Sequence, residues 1–228
     1  MRPMEVVYDE ERWRLLRELR AEALEMMRPL ARRHIGATAY GSIARGDVSP
    51  TSDIDVFIPS PPAPSILEAL IEGAGYVIGV REIIQATPSY AAKGYIYVDE
   101  RRSYSFPLME MRTVEREFYH FAGSVTYDEL GRDLRVPGVD KRLMLIEPTD
   151  MGHRESSILG REGVVARLLG VSVSTVLDRV RTLTRRREIG RTGVYVKREL
   201  SPEEGFGEVL EELLRSKPAM RRRLRELD

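Results

Sequence analysis

The chain has 228 residues, 42% of them hydrophobic, with 36 basic and 36 acidic side chains and no cysteine. That composition predicts a soluble globular protein of one large or two modest domains, and it excludes disulfides, thiolate metal sites and a cysteine nucleophile. No stretch approaches the roughly 20 apolar residues of a membrane span, and the charged N-terminus lacks a signal-peptide core, so the expected address is the cytoplasm.

The three histidines, His34, His120 and His153, show none of the short spacings of a zinc site, which leaves hard cations held by oxygen as the expected metals. Of the 36 basic residues only Lys93, Lys141, Lys197 and Lys217 are lysine, an arginine excess compatible with a thermophilic source. Charge is uneven along the chain. Residues 1–150 hold 19 basic and 24 acidic side chains, net −5, whereas residues 151–200 hold 11 and 5, net +6. A basic module appended to an acidic one raises the expectation of a polyanionic partner.

Residues 9–33 carry Trp13, Leu16, Leu19, Ala23, Met27 and Leu30 at three-to-four spacing and predict an amphipathic helix. "IGATAY" and "DIDVFIPS" read as buried strands, the second stopped by a Pro-rich loop, and residues 65–73 as a helix ending at Gly73. Three strand-like runs follow, "YVIGVREIIQAT", "GYIYVDE" and "YSFPLMEMR", the last two joined as a hairpin through "ERRS". Pro107 predicts that the third of these is an edge or bulged strand. Beyond it, "TVEREFYHFAG" reads as a helix, "GRDLRVPGVDKR" as a loop and "KRLMLIEPT" as a strand.

From residue 158 the pattern is helical. Val164, Val165, Leu168 and Leu169 mark one helix; after a Gly-Val-Ser turn a capped second helix places Val176, Leu177, Val180 and Leu183 inward. A turn "IGRTG" and a strand "VYVKREL" come next, then a charged helical tail. The expected organisation is an N-terminal helix packed on the core (1–33), a mixed-sheet domain (34–150), an α-rich second domain (151–200) and the tail (201–228), an α+β fold overall.

The chemistry-bearing stretch is "AYGSIARGDVSPTSDIDVFIPS". Asp53 and Asp55 stand at i and i+2, the same face of a strand, while Ile54 and Val56 point the other way. Two carboxylates so close repel unless a cation lies between them, and octahedral Mg²⁺ (or Mn²⁺) with substrate phosphates suits that arrangement. Gly41 allows close backbone approach to a phosphate, Ser42 offers a hydroxyl, the following turn offers N–H groups, and Arg45 is positioned by spacing to reach the same oxygens.

"GS", ten residues and then "DID" after an apolar strand resembles the signature of the polymerase-β-like nucleotidyltransferase superfamily. "GSIARG" and "SDIDVFI" look especially like its archaeal CCA-adding and minimal branches, over about residues 34–112. The resemblance implies Mg²⁺-dependent transfer of a nucleotidyl group from an NTP, with ATP as first expectation, to a hydroxyl on RNA, protein or a small molecule. It implies Asp53 and Asp55 as metal ligands, with Gly41, Ser42 and Arg45 on the triphosphate. It also implies a third carboxylate from a later strand, assigned to Glu110 with Asp99 as competitor.

"VVARLLGVSVSTVLDRVRTLTRRREIGRTGVYVK" looks like a winged helix-turn-helix, with Ser174, Thr175, Arg179, Arg181 and Arg191 as expected nucleic-acid contacts. Arginines here would meet phosphates, while a docking role for the same helices stays open. The competing reading of the whole chain is a regulator, in which nucleotide occupancy biases DNA binding and little or no transfer occurs.

Overall fold

The structure, a computed structural model, describes residues 3–190 and 193–225. The first half runs β1 (Met4–Val7), α1 (Glu10–Ala31), β2 (Thr38–Tyr40), α2 (Ser42–Arg45), β3 (Ile54–Phe57), α3 (Pro64–Gly73), β4 (Val80–Gln85), β5 (Lys93–Tyr97) and β6 (Arg102–Pro107). It continues through α4 (Thr113–Ala122), β7 (Ser124–Thr126), α5 (Tyr127–Gly131), β8 (Gly138–Val139), β9 (Met144–Thr149) and β10 (Gly152–Ser157). Last come α6 (Glu162–Leu169), α7 (Val173–Ile189), β11 (Val196–Glu199), α8 (Phe206–Ser216) and α9 (Pro218–Arg225). No helix among the described residues is long and apolar enough to cross a membrane.

The architecture is α+β with a mixed seven-stranded sheet, ordered β11-β4-β5-β6-β3-β2-β7. Its parallel pair is β3 with β6; the other ladders are antiparallel. Period-two alternation gives the sheet one apolar and one polar face. Ile54, Val56, Tyr104, Phe106, Ile96 and Ile83 share the apolar face, which packs against α1 and α8. The Tyr104 hydroxyl donates to the Met26 carbonyl of α1 at 2.9 Å, and Phe106 meets Phe206 of α8 edge-on at 5.2 Å. Gly94 permits that closeness, because a Cβ there would lie 2.5 Å from the Phe106 ring and 3.0 Å from Phe206. Asp55, Phe57, Ser103, Ser105, Tyr95, Tyr97 and Lys93 share the polar face, where α4 stacks Tyr119 on Phe57 at 3.6 Å.

A second sheet, β1-β10-β9-β8, stands beside the first and brings the N-terminal strand onto the β9–β10 hairpin. A second apolar cluster joins it to the helical pair: Val139, Leu143 and Leu145 pack with Val165, Val176 and Leu183.

Several expectations change. β6 is central, between β5 and β3, and Pro107 is tolerated because it ends the strand rather than interrupting it. The strand expected as a wing is β11, which pairs with β4 at the edge of the main sheet (Val196 with Gln85, Glu199 with Glu82). The boundary expected at residue 151 falls inside the β9–β10 hairpin, so residues 151–200 share sheet, core and helix contacts with what precedes them. Leu177, expected inward, is exposed. The tail is packed structure: Phe206, Val209, Leu213 and Met220 enter the main core. Arg223 is fully buried, donating to the carbonyls of Ser89 (2.9 Å) and Glu110 (2.8 Å) and pairing with Glu115 at 3.2 Å.

Removing one partner of such a pair leaves an uncompensated buried charge, at a typical cost of about 3–5 kcal/mol. Arg223→Met is therefore expected to lower the unfolding free energy measured in urea by an amount in that range, and an unchanged midpoint would mean that the tail does not brace the fold.

Candidate active site

Asp53 lies just ahead of β3 and is exposed; Asp55 lies within β3, on the polar face and half-buried. Burial pushes the Asp55 carboxyl above the usual carboxylate range, and the neighbouring Asp53 charge adds to this. A hydrogen bond from the Ser103 hydroxyl to Asp55 Oδ1 (2.7 Å) and the positive charge of Lys141 act in the opposite direction. The β2–α2 turn follows directly on the strand paired with β3. Gly41 has φ +77°, a left-handed value that favours glycine, and nothing lies within 4 Å of where its Cβ would be, so the backbone is open to approach. Ser42 Oγ donates to Ser52 Oγ at 3.2 Å, tying the turn to the loop that precedes Asp53.

The β3 strand has two neighbours, β6 and β2. Register sets Ser103 beside Asp55 on β6, and Tyr40 follows the Ala39–Val56 pair on β2. Neither is a carboxylate, and burial and the nearby Asp55 charge hold the Tyr40 hydroxyl firmly protonated. Glu110, expected as the third carboxylate, lies beyond the end of β6, exposed, 3.8 Å from Arg116. The parallel register explains the miss: seven residues separate Glu110 from Ser103, which at about 3.3 Å per residue is far along the sheet. Asp99 is engaged in the β5–β6 turn; although burial pushes its carboxyl up, the N–H groups of Arg101 and Arg102 and the Arg102 guanidinium outweigh this and hold it low. Among the described residues, no three His, Cys, Asp or Glu side chains converge on a metal position. Two carboxylates with adjacent substrate phosphates suit one hard cation, which keeps waters in its remaining positions.

Arg45 does not face the carboxylates. It is buried, its guanidinium donating twice to Asp47 at 3.0 Å and once to the Ala122 carbonyl at 2.6 Å. Its role is to fix the turn from behind. Tyr8 helps, its hydroxyl donating to the Gly46 carbonyl at 3.0 Å and sitting 2.6 Å from His153 Nδ1. The one cation whose charge lowers the Asp55 carboxyl, and the weakest of the influences on it, is Lys141, exposed in the β8–β9 turn. It belongs to no motif, and only the folding of the second sheet against the first brings it here.

The helical pair is present, with Gly170 left-handed at the end of α6 and Ser172 capping α7. Its expected reading residues divide. Ser174 and Arg181 are exposed, but Thr175 is fully buried, its hydroxyl donating to Glu117 of α4 at 2.5 Å. Arg179 is half-buried with its guanidinium over the Phe118 ring at 4.8 Å, and burial lowers its basicity. Arg191 lies outside the described residues. Half of the expected groove-reading face is thus spent on α4.

Lys93, on the polar face, donates to the Tyr119 hydroxyl at 2.8 Å, and burial depresses it to about 8, against the pull of Glu115 and with a contribution from Arg179. The unfolded lysine keeps its proton to pH 10.5, so between the two values the unfolded state binds more protons and stability rises with pH. Wild type is expected to gain, relative to Lys93→Met, as urea unfolding is followed from pH 8 to 10.5; a pH-independent difference would contradict this. For Arg45→Met we expect a loss of up to about 3–5 kcal/mol of stability, since the Asp47 carboxylate, 11% exposed, loses its guanidinium partner. Unchanged stability with weakened NTP binding would instead make Arg45 a ligand.

A family model described as "Nucleotidyltransferase domain" matches residues 17–118, a little under half of the chain. No curated protein and no solved structure matches. The matched span contains the C-terminal two thirds of α1, the Gly41–Ser42 turn, both aspartates, and the β3–β6 pair that sets Ser103 beside Asp55. Residues 17–118 are therefore similar to nucleotidyltransferase domains, a likeness that supports the superfamily and, in general terms, nucleotidyl transfer.

Proposed function

We propose that the protein is an NTP-dependent nucleotidyltransferase acting on a hydroxyl acceptor. The observation that carries this is the meeting of Asp53 and Asp55 with the open Gly41 turn, inside a segment similar to nucleotidyltransferase domains. Asp53 and Asp55 would hold Mg²⁺ or Mn²⁺; bound there, the cation would neutralise charge on the phosphates and relieve the repulsion between the two carboxylates. The Gly41 backbone, the Ser42 hydroxyl and Lys141 would orient the triphosphate, Lys141 taking the part that spacing gave to Arg45. The acceptor oxygen bonds to the α-phosphorus as the bond to the α–β bridging oxygen breaks. Pyrophosphate leaves with that electron pair, and the hydroxyl proton passes to water. ATP is the first NTP to test.

The regulator reading has one observation in its favour, Ser103 beside Asp55 where a third carboxylate would serve as base or ligand. Under that reading nucleotide binds, transfer is slow, and occupancy biases a nucleic-acid contact through α6 and α7.

The two readings separate on incorporation from an α-³²P-labelled NTP. Asp53→Asn is expected to lower incorporation by about 10²–10³-fold, the range for loss of a group that stabilises developing charge. Ser103→Asp is expected to raise it at least about tenfold by supplying a base. Binding of the NTP without incorporation, in wild type and in Ser103→Asp alike, would favour the regulator.

A further inference from the structure

The brace behind the Gly41–Ser42 turn contains a proton for which two acceptors compete. Gly46 ends the single turn of α2, and its N–H donates to the Ser42 carbonyl at 2.7 Å, so its peptide closes the turn that Ser42 opens. The Gly46 carbonyl accepts from the Tyr8 hydroxyl at 3.0 Å. The same hydroxyl oxygen lies 2.6 Å from Nδ1 of His153, a residue of β10 that is 2% exposed. Across that ring, Nε2 lies 3.8 Å from Glu155 Oε2, and Arg142, 2.5 Å from the same oxygen, holds the carboxylate there.

A phenol has one proton to give, and a carbonyl can only accept. Both Tyr8 contacts are hydrogen bonds at once only while Nδ1 carries a proton of its own. The imidazolium meets that condition: it donates to Tyr8 and points its second N–H at Glu155, while Tyr8 donates to Gly46. A neutral ring that keeps Nδ1–H turns a bare Nε2 lone pair on the Glu155 carboxylate. A neutral ring that keeps Nε2–H suits Glu155, but its bare Nδ1 takes the Tyr8 proton and the Gly46 carbonyl loses its donor. The carboxylate favours the second of these neutral forms.

Other charges stand around the ring. Arg12 of α1, Asp47 of the α2–β3 loop, and Asp140 and Arg142 of the β8–β9 turn line, with His153 and Glu155, an open cavity of about 400 Å³. Asp47 is paired with Arg45, and Arg135 donates to the adjoining Gly152 carbonyl at 2.8 Å. Burial lowers the His153 imidazole below the usual histidine range and Arg12 acts with it, while Asp47 and Glu155 oppose. Burial pushes the Tyr8 hydroxyl up to about 12, so it keeps its proton throughout.

Deepening the proposed transferase reading and resting on it, we infer that His153 is a positioning residue for the nucleotide turn: its imidazolium lets Tyr8 hold the Gly46 carbonyl, and its neutral form draws the Tyr8 proton away and loosens the turn that would meet the triphosphate. The grip is present below the His153 titration and is lost as pH rises through it.

The test uses the full chain, with nitrogen-15 NMR of histidine-labelled protein following both ring nitrogens of His153. The other histidines, His34 and His120, are exposed, and the signals absent from His153→Asn identify the buried one. MgATP affinity is measured by calorimetry from about pH 5 to about pH 8, the range in which histidine changes charge. Neutral His153 is expected as the Nε2–H tautomer. The affinity of wild type relative to Tyr8→Phe is expected to be about fivefold greater below the titration than above it, the equilibrium worth of one hydrogen bond. Taking the ratio removes the titration of ATP and of the carboxylates, which both proteins share. His153→Asn, whose amide stands in for Nδ1 and does not titrate, is expected to give a ratio to Tyr8→Phe that is flat with pH. Each variant is checked for native melting. A neutral Nδ1–H tautomer, or a wild-type ratio unchanged with pH while MgATP binds, would overturn the inference and leave the transferase reading standing. Absence of MgATP binding at every pH would overturn that reading instead.

Discussion

The structure turns on a repulsion. Asp53 and Asp55 stand at alternate positions at the start of β3, and burial of Asp55 deprives its charge of water. The protein offsets only part of that cost, with one hydroxyl from Ser103 and the more distant charge of Lys141. Under the proposed reading, a cation and the phosphates that share it would complete a site that is electrostatically incomplete on its own. Much of the surrounding architecture serves to hold this pair in place. The parallel β3–β6 ladder fixes Ser103, the buried Arg45–Asp47 pair with Tyr8 fixes the Gly41 turn, and the second sheet delivers Lys141.

The C-terminal third is integrated into this arrangement. β11 extends the main sheet, α8 and α9 close its apolar face, and α7 leans on α4 across the polar one. A helix bound in this way has little freedom to enter a major groove, but its exposed end lies beside the turn that carries Lys141.

Local pattern carried the sequence reading a long way. The i, i+2 aspartates, the helical spacing from Leu16 to Leu30 and the Gly170 turn each encode their geometry within a few residues, and the structure has those elements. What failed depended on which strands become neighbours. Glu110 ends a plausible alternating run, yet the β3–β6 register sets Ser103 beside Asp55. Arg45 has the right spacing for a phosphate, but Asp47 two residues on and the Ala122 carbonyl claim its guanidinium. "VYVKREL" reads equally well as a wing or an edge strand, and only the free edge of β4 decides between them. Lys141 could not be found from the sequence, because its relevance depends on one sheet packing beside another.

The central claim is that Asp53 and Asp55 bind a divalent cation together with NTP. Water-proton relaxation of Mn²⁺ titrated into the full chain, with and without ATP, tests it most directly. The account predicts that ATP strengthens Mn²⁺ binding in wild type and that Asp55→Asn abolishes this gain while the protein stays folded. Equal Mn²⁺ affinity in wild type and Asp55→Asn, with ATP present, would contradict it.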